Sequence, residues 1–182
     1  MKQIGFLFDE EFENENDIFD ETDEDTLKDR FLTFDIGNND YGLEICYITE
    51  IIGIQPITEI PGMPKYLKGV INLRGTVVPV VDVRIRFEMP ERKYDEKTCV
   101  IIVHINDTDI GLVVDDVSEV VDIPEHNILP PPAVNKGRAS RFINGMGKID
   151  ERVSILLDIN KLLYDKSNNN NNIENTGVNN EN

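Results

Sequence analysis

Short apolar runs, each ended by a glycine, proline or acidic turn, follow one another from Phe31 to Leu163. Phe31-Leu32-Thr33-Phe34-Asp35-Ile36 alternates in part and is rich in aromatic residues, which predicts a strand. Gly37-Asn38-Asn39-Asp40 is a turn signal, and Tyr41 to Ile45 is the returning strand. Ile45, Ile48, Ile51 and Ile52 recur at helical spacing, but their β-branched side chains favour extended backbone. The pattern predicts a short helical turn running into a strand that ends near Ile54. Pro56, Pro61, Gly62 and Pro64 mark a long connection. Val70 to Leu73 and Val77 to Val81 form the clearest hairpin, with Arg74-Gly75 at its tip. Pro79 predicts that the second arm is an edge strand or bulged. Val100 to Val103 is wholly apolar and predicts a buried strand, followed by a turn at Asn106 to Asp109. Pro130-Pro131-Pro132 predicts a stiff, exposed linker. Ser154 to Ile159 is the last strand, and Asn160 to Tyr164 begins a closing helix.

The strands repeat. Tyr41-Gly42-Leu43 through Glu50 to Ile54 returns at an offset of 69 as Ile110-Gly111-Leu112 through Glu119 to Ile123. Gly69 to Leu73, a turn, and Val77 to Val83 return at an offset of 76 as Gly145 to Ile149, a turn, and Val153 to Ile159. Repetition of whole strand-and-turn units predicts one small β module built twice. Many short strands with Gly and Pro turns predict two antiparallel barrels of about five strands each. The split is expected near residues 89–97, where charge replaces the apolar pattern, with the ends able to cross between lobes. Two similar modules side by side create a groove between them.

Composition confines the fold to the middle of the chain. Residues 1–30 hold 12 acidic and 3 basic side chains, and residues 167–182 hold nine Asn and almost nothing apolar. Neither segment can bury enough apolar surface to offset the entropy of ordering, so both are expected to be disordered tails around a folded region at 31–166. Nine of the net 17 negative charges lie in the first segment, but the folded region is acidic as well. Acidic surfaces repel phosphate backbones, which disfavours nucleic acid as a partner. No apolar stretch approaches the ~20 residues needed to span a bilayer, and acidic residues follow Phe8 too soon for a signal peptide. A cytoplasmic location is expected.

Candidate chemistry is sparse. Cys46 and Cys99 are far apart, each within an apolar run, and read as reduced core thiols. His104 lies within a strand, and neither it nor His126 pairs with a plausible nucleophile. Asp107, Asp109, Asp115 and Asp116 could hold a divalent cation for hydrolysis, but their spacing fits solvated turn residues better. Asp82 and Asp158, repeat-equivalent and each following an apolar strand, fit helix N-caps. Arg74 reads either as a solvated turn residue or as an interface anchor, since its planar fork suits desolvated pairing. The repeat-equivalent pairs Ile48 and Ile51, Val117 and Val120 are either ordinary core or the walls of an apolar groove able to take an amphipathic helix.

Tyr66 to Arg84, with Gly69-Val70-Ile71-Asn72-Leu73-Arg74-Gly75 at its centre, resembles the signature of the CheW chemotaxis coupling proteins. Gly111 to Val120 and Ile155 to Leu163 match the later blocks of that family in order, so the resemblance covers about Phe31 to Leu163. It implies two SH3-like five-stranded antiparallel β-barrels with one closing C-terminal helix. It implies a non-enzymatic adaptor without cofactor or metal, linking chemoreceptors (methyl-accepting chemotaxis proteins) to the histidine kinase CheA. The kinase's regulatory domain would pair lobe to lobe, and the receptor's cytoplasmic hairpin tip would enter the groove. Such a protein reaches the membrane only through receptor arrays. Carried over by position, the receptor site comprises Leu32, Ile45, Ile48, Ile51, Val117 and Val120, with Glu50 and Arg74 paired beside it. Gly69 and Cys99 match positions where the family is sensitive to change.

Overall fold

The computed structural model describes residues 27–131 and 138–165; the expectations for the two tails lie outside the described residues over 1–26 and 166–182, whereas Arg30, expected in the first tail, opens β1 opposite Asp122. The described chain forms β1 (Arg30–Ile36), β2 (Asn39–Glu44), β3 (Ile48–Gly53), β4 (Leu67–Leu73), β5 (Thr76–Asp82), α1 (Val83–Arg86), β6 (Cys99–Ile105), β7 (Thr108–Val114), β8 (Asp116–Asp122), β9 (Ile128–Leu129), β10 (Ile143–Ile149), β11 (Arg152–Leu157) and α2 (Ile159–Tyr164). The expected helical turn before β3 is a single 3-10 turn at Ile45–Tyr47.

Two sheets result. Lobe A has the order β8-β1-β2-β11-β10-β9, and lobe B the order β3-β6-β7-β5-β4. The repeat is visible strand for strand, but each lobe combines the opening hairpin of one copy with the remaining strands of the other. The chain leaves lobe A after β2, builds β3 to β7 in lobe B, and returns with β8. A cut near residues 89–97 therefore leaves strands of both sheets on either side. The exchange also corrects the expectation of purely antiparallel barrels. β2 lies parallel to β11, and β5 parallel to β7, because hairpins from different copies meet there. Lobe A gains a sixth strand from the two-residue β9, and a second helix, α1, follows β5.

Strand alternation divides the burial. Leu32, Phe34, Ile36 and Leu43 of lobe A meet Ile101, Val103, Ile105 and Leu112 of lobe B in one central core. The opposite faces build a private core in each lobe: Phe31, Ile123 and Leu156 in A, and Ile71, Val78, Val80, Val100, Ile102 and Val113 in B. β6 is thus covered on both faces, which is why Val100 to Val103 shows no polar alternation.

The edge-strand expectation for Pro79 fails, since β5 lies between β7 and β4. Its missing N–H is not needed there. Val70, opposite Pro79, directs both its N–H and its C=O to Thr58 at 2.9 and 2.8 Å, and the β5–β7 ladder begins one residue later at Val80.

Both helices start as the repeat predicts. Asp82 Oδ1 accepts from the Ile85 N–H and Asp158 Oδ1 from the Lys161 N–H, each at 3.0 Å. The helices are joined by Arg86, which is 2 % exposed. Its Nε donates to Leu162 O at 2.7 Å and Nη2 to Asp165 O at 2.8 Å, while the guanidinium stacks 4.3 Å from the Tyr66 ring centroid.

Candidate docking surface

The tip of the β4–β5 hairpin is a tight, hydrogen-bonded turn. Arg74 and Gly75 take left-handed φ values of 50° and 91°, and Asn72 Oδ1 accepts the Gly75 N–H at 2.8 Å. The tip aims Arg74 across the open side of lobe B at β3. Nη1 and Nη2 donate to Glu50 Oε1 and Oε2 at 3.0 and 2.7 Å, a bidentate pair. The hydrogen bonds it donates to Glu50, then the charge of that carboxylate, hold the Arg74 guanidinium above its ordinary pKa. The Arg74 side chain remains 76 % exposed, so the pair adds little stability but fixes a cation at the surface.

β3 and β8 are equivalent in the repeat, and both are edge strands. Ile51 and Val120 stand 43 % and 40 % exposed on them, while Ile48 and Val117 pack partly buried against the central core. Ile45 is half-buried in the 3-10 turn that precedes β3. Leu32 differs from the expected contact role. It is 3 % exposed because β1 is an interior strand, and it stands opposite Val120 in the β1–β8 ladder. It can support that edge but cannot itself meet a partner.

Gly69 is buried within a β4 irregularity at φ 142°. A Cβ there would stand 2.1 Å from Thr58 O, so the position serves close backbone approach of the long connection. Cys99 opens β6 opposite Gly53 and Val114, and packs half-buried against the central core. Burial, then the charge of Asp116, pushes its thiol pKa up, which makes it a poor nucleophile. Cys46 departs from the core-thiol expectation, being exposed on the 3-10 turn.

The aspartate cluster is dispersed. Asp109 pairs with His104, Asp115 with Arg84 and Arg92, and Asp116 with Lys97. Among the described residues no three His, Cys, Asp or Glu gather to hold a metal ion, and no helix is long and apolar enough to cross a membrane. One feature has no counterpart among the residues anticipated above. Arg152 Nη2 donates to Glu119 Oε1 at 2.7 Å, with Val153 54 % exposed beside it. This repeats in lobe A the arrangement of Arg74, Glu50 and Val77, and the offsets that equate Glu119 with Glu50 and Val153 with Val77 are its sequence signal.

Residues 30–167 match the CheW-like domain. The chain belongs to the CheW-like domain family. Chemotaxis protein CheW of Klebsiella aerogenes is 40 % identical over 139 residues, covering 76 % of this chain and 84 % of that protein. Chemotaxis protein CheW of Helicobacter pylori is 30 % identical over 161 residues, 88 % of this chain and 96 % of that one. The crystal structure of scaffolding protein TtCheW from Thermoanaerobacter tengcongensis superposes with a TM-score of 0.69 at 34 % identity, covering 75 % of this chain and 92 % of that chain. This CheW-like chain is thereby placed among chemotaxis scaffolds, and its two mixed sheets are the two-lobed β fold of that family.

Proposed function

We propose that this chain is a non-enzymatic adaptor that couples chemoreceptors to the histidine kinase CheA in signalling arrays. The receptor's cytoplasmic hairpin tip is an amphipathic helix pair, and the half-exposed edges β3 and β8 offer it apolar anchors in Ile45, Ile48, Ile51, Val117 and Val120, backed by Leu32. The kinase's regulatory domain docks on a separate face, so both partners are held at high effective concentration. The chain works in the cytoplasm and meets the membrane only through receptors. Gly69 and Cys99 act indirectly, by keeping the β4 and β3–β6 edges in place.

The observation that carries this reading is the bidentate Glu50–Arg74 pair beside the exposed Ile51, in a chain of this family. The pair holds a guanidinium in one orientation with little further entropy to lose on binding. The test is a pull-down of a receptor cytoplasmic hairpin by the wild-type chain and by Arg74→Glu, with circular dichroism to confirm folding. Capture by the first and loss by the folded second is expected. Equal capture by both moves the site away from Arg74, and capture by neither refutes receptor coupling.

A further inference from the structure

Residues 1–26 join the fold at the mouth of the candidate docking surface. Arg30 stands opposite Asp122 at the end of β8, two residues past Val120, and Asp29 O accepts the Ile123 N–H at 2.7 Å. Leu27, 39 % exposed, shares a cleft of about 630 Å³ with Phe31, Cys46 and Ile128. Cys46 lies on the 3-10 turn that leads into Ile48 of β3. The end of one exposed edge and the start of the other therefore meet where the first segment enters. From Cys46 to Ile51 is at most about 17 Å at about 3.3 Å per strand residue.

The sequence of that segment carries the chemistry this surface fits. Ile4, Leu7, Phe8 and Phe12 follow the i, i+3, i+4, i+8 spacing of one helical face, and Asp9, Glu10 and Glu13 fall on the other. Alone, so acidic a segment buries too little apolar surface to offset the entropy of ordering, and a half-exposed apolar edge supplies what it lacks. Residues 13–26 give a tether of about 20 Å root-mean-square length, enough to reach Ile51 and Val120. The carboxylates of the two edges do not bar an acidic segment, because each is compensated: Glu50 by Arg74, Asp116 by Lys97, Glu119 by Arg152 and Asp122 by Arg30. Arg74 spends two of its five N–H donors on Glu50 and is 76 % exposed, so donors remain for a further carboxylate.

We propose that residues 4–12 dock as a helix on this chain's own β3 and β8 edges, with Phe8 and Phe12 against Ile51 and Val120 and a carboxylate at Arg74, and so compete with the receptor hairpin. The proposal rests on the receptor coupling proposed above and adds regulation of the same surface. The tether favours this occupant over a free helix of like chemistry, since it holds the segment at about millimolar effective concentration. A segment with a Kd of about 0.1 mM then fills the surface about nine-tenths of the time and weakens a competing partner about tenfold.

The test compares the full ¹⁵N-labelled chain with its Phe8→Ser/Phe12→Ser variant, first by amide NMR and then by affinity for a receptor cytoplasmic hairpin. Both substitutions fall outside β1 to α2, and unchanged amide shifts in α2 confirm that the variant keeps the fold. Amide shifts that differ between the two chains at Ile48, Ile51, Val117 and Val120, and that persist on tenfold dilution, are expected. The variant should bind the hairpin about tenfold more tightly. Identical edge amides overturn the docking, and hairpin binding then reports on receptor coupling alone. Differences that fade on dilution overturn it in favour of a segment from a second copy. Edge differences with equal hairpin affinity overturn the competition and place the receptor elsewhere. Edge differences with no hairpin binding by either chain uphold the docked segment and refute receptor coupling.

Discussion

Replacing Gly69 by alanine adds one methyl group at a point where two backbones touch. The new Cβ would stand 2.1 Å from Thr58 O and 2.7 Å from Thr58 C, and neither is the end of a flexible side chain. Relief requires Thr58 to withdraw, which breaks the two hydrogen bonds it shares with Val70 at 2.8 and 2.9 Å. Each is worth about 1 kcal/mol, and an L side chain at φ 142° adds about 1–3 kcal/mol of strain. The expected loss is about 3–5 kcal/mol, a large share of the roughly 5–15 kcal/mol that holds a domain together. Two other glycines calibrate it. Gly75 has φ 91° but open space around a Cβ, so Gly75→Ala should cost about 1 kcal/mol from strain alone. Gly53 has open space and no left-handed φ, so Gly53→Ala should lie within about 0.5 kcal/mol of wild type. Urea unfolding of the three variants is the assay. At a slope of about 2 kcal/mol/M, Gly69→Ala should lower the midpoint by about 2 M. A loss no greater than that of Gly75→Ala would refute the steric argument. If that stable variant also lost partner binding, Gly69 would be a contact residue rather than a support.

Leu32→Ala should cost about 2–5 kcal/mol as a core truncation, whereas Ile51→Ala should leave the urea midpoint nearly unchanged yet weaken receptor-hairpin capture, because Leu32 is 3 % and Ile51 43 % exposed. Burial raises the Asp115 carboxyl, but hydrogen bonds from Arg84 and the Gly37 N–H, with the charges of Arg84 and Arg92, outweigh it and hold the pKa below 3.8. A depressed folded-state pKa contributes stability above the unfolded value and loses it as pH falls through the folded one. Wild type should therefore exceed Asp115→Asn by about 2 kcal/mol at pH 7 and converge with it toward pH 2 in chemical denaturation. Cys46, being exposed, should react with a disulfide reagent well before the half-buried Cys99, and both slowly at pH 7, since burial raises both thiols; equal rates in single-cysteine variants would contradict this.

The offsets of 69 and 76 made much of the fold legible, because a repeat carries its turns and caps with it. Arg74 and Asp150 share φ values of 50° and 51°, and Asp82 and Asp158 cap equivalent helices. Pairing across the repeat was not legible. Alternation fixes which residues share a face of β3 or β8, but not which sheet each strand joins. Leu32 and Ile51 look alike in sequence, since both are apolar on a strand. Only the interior position of β1 and the edge position of β3 separate them. Arg86 carries no signal at all. It is buried because the last carbonyls of a helix 76 residues downstream need donors there, a demand that no local pattern reports.

The strand exchange bears on how such an adaptor could transmit a signal. β2 reaches β3 through a three-residue turn, and β7 reaches β8 through Asp115 alone, so both passages between lobes are short. Asp115 is itself held by Arg84 and by the Gly37 N–H, which tie the crossing to α1 and to the β1–β2 turn. A hinge between the lobes would have to pull β3 or β8 from its ladder, or open the central core to which Ile48 and Val117 both belong. Packed cores resist continuous deformation. The edges proposed above to meet partners are thus the exchanged strands themselves, fixed on the shared core. If partners dock on β3 and β8 as proposed, a displacement imposed at β3 reaches β8 as movement of the whole chain, and the adaptor keeps constant the spacing between what is bound on either side.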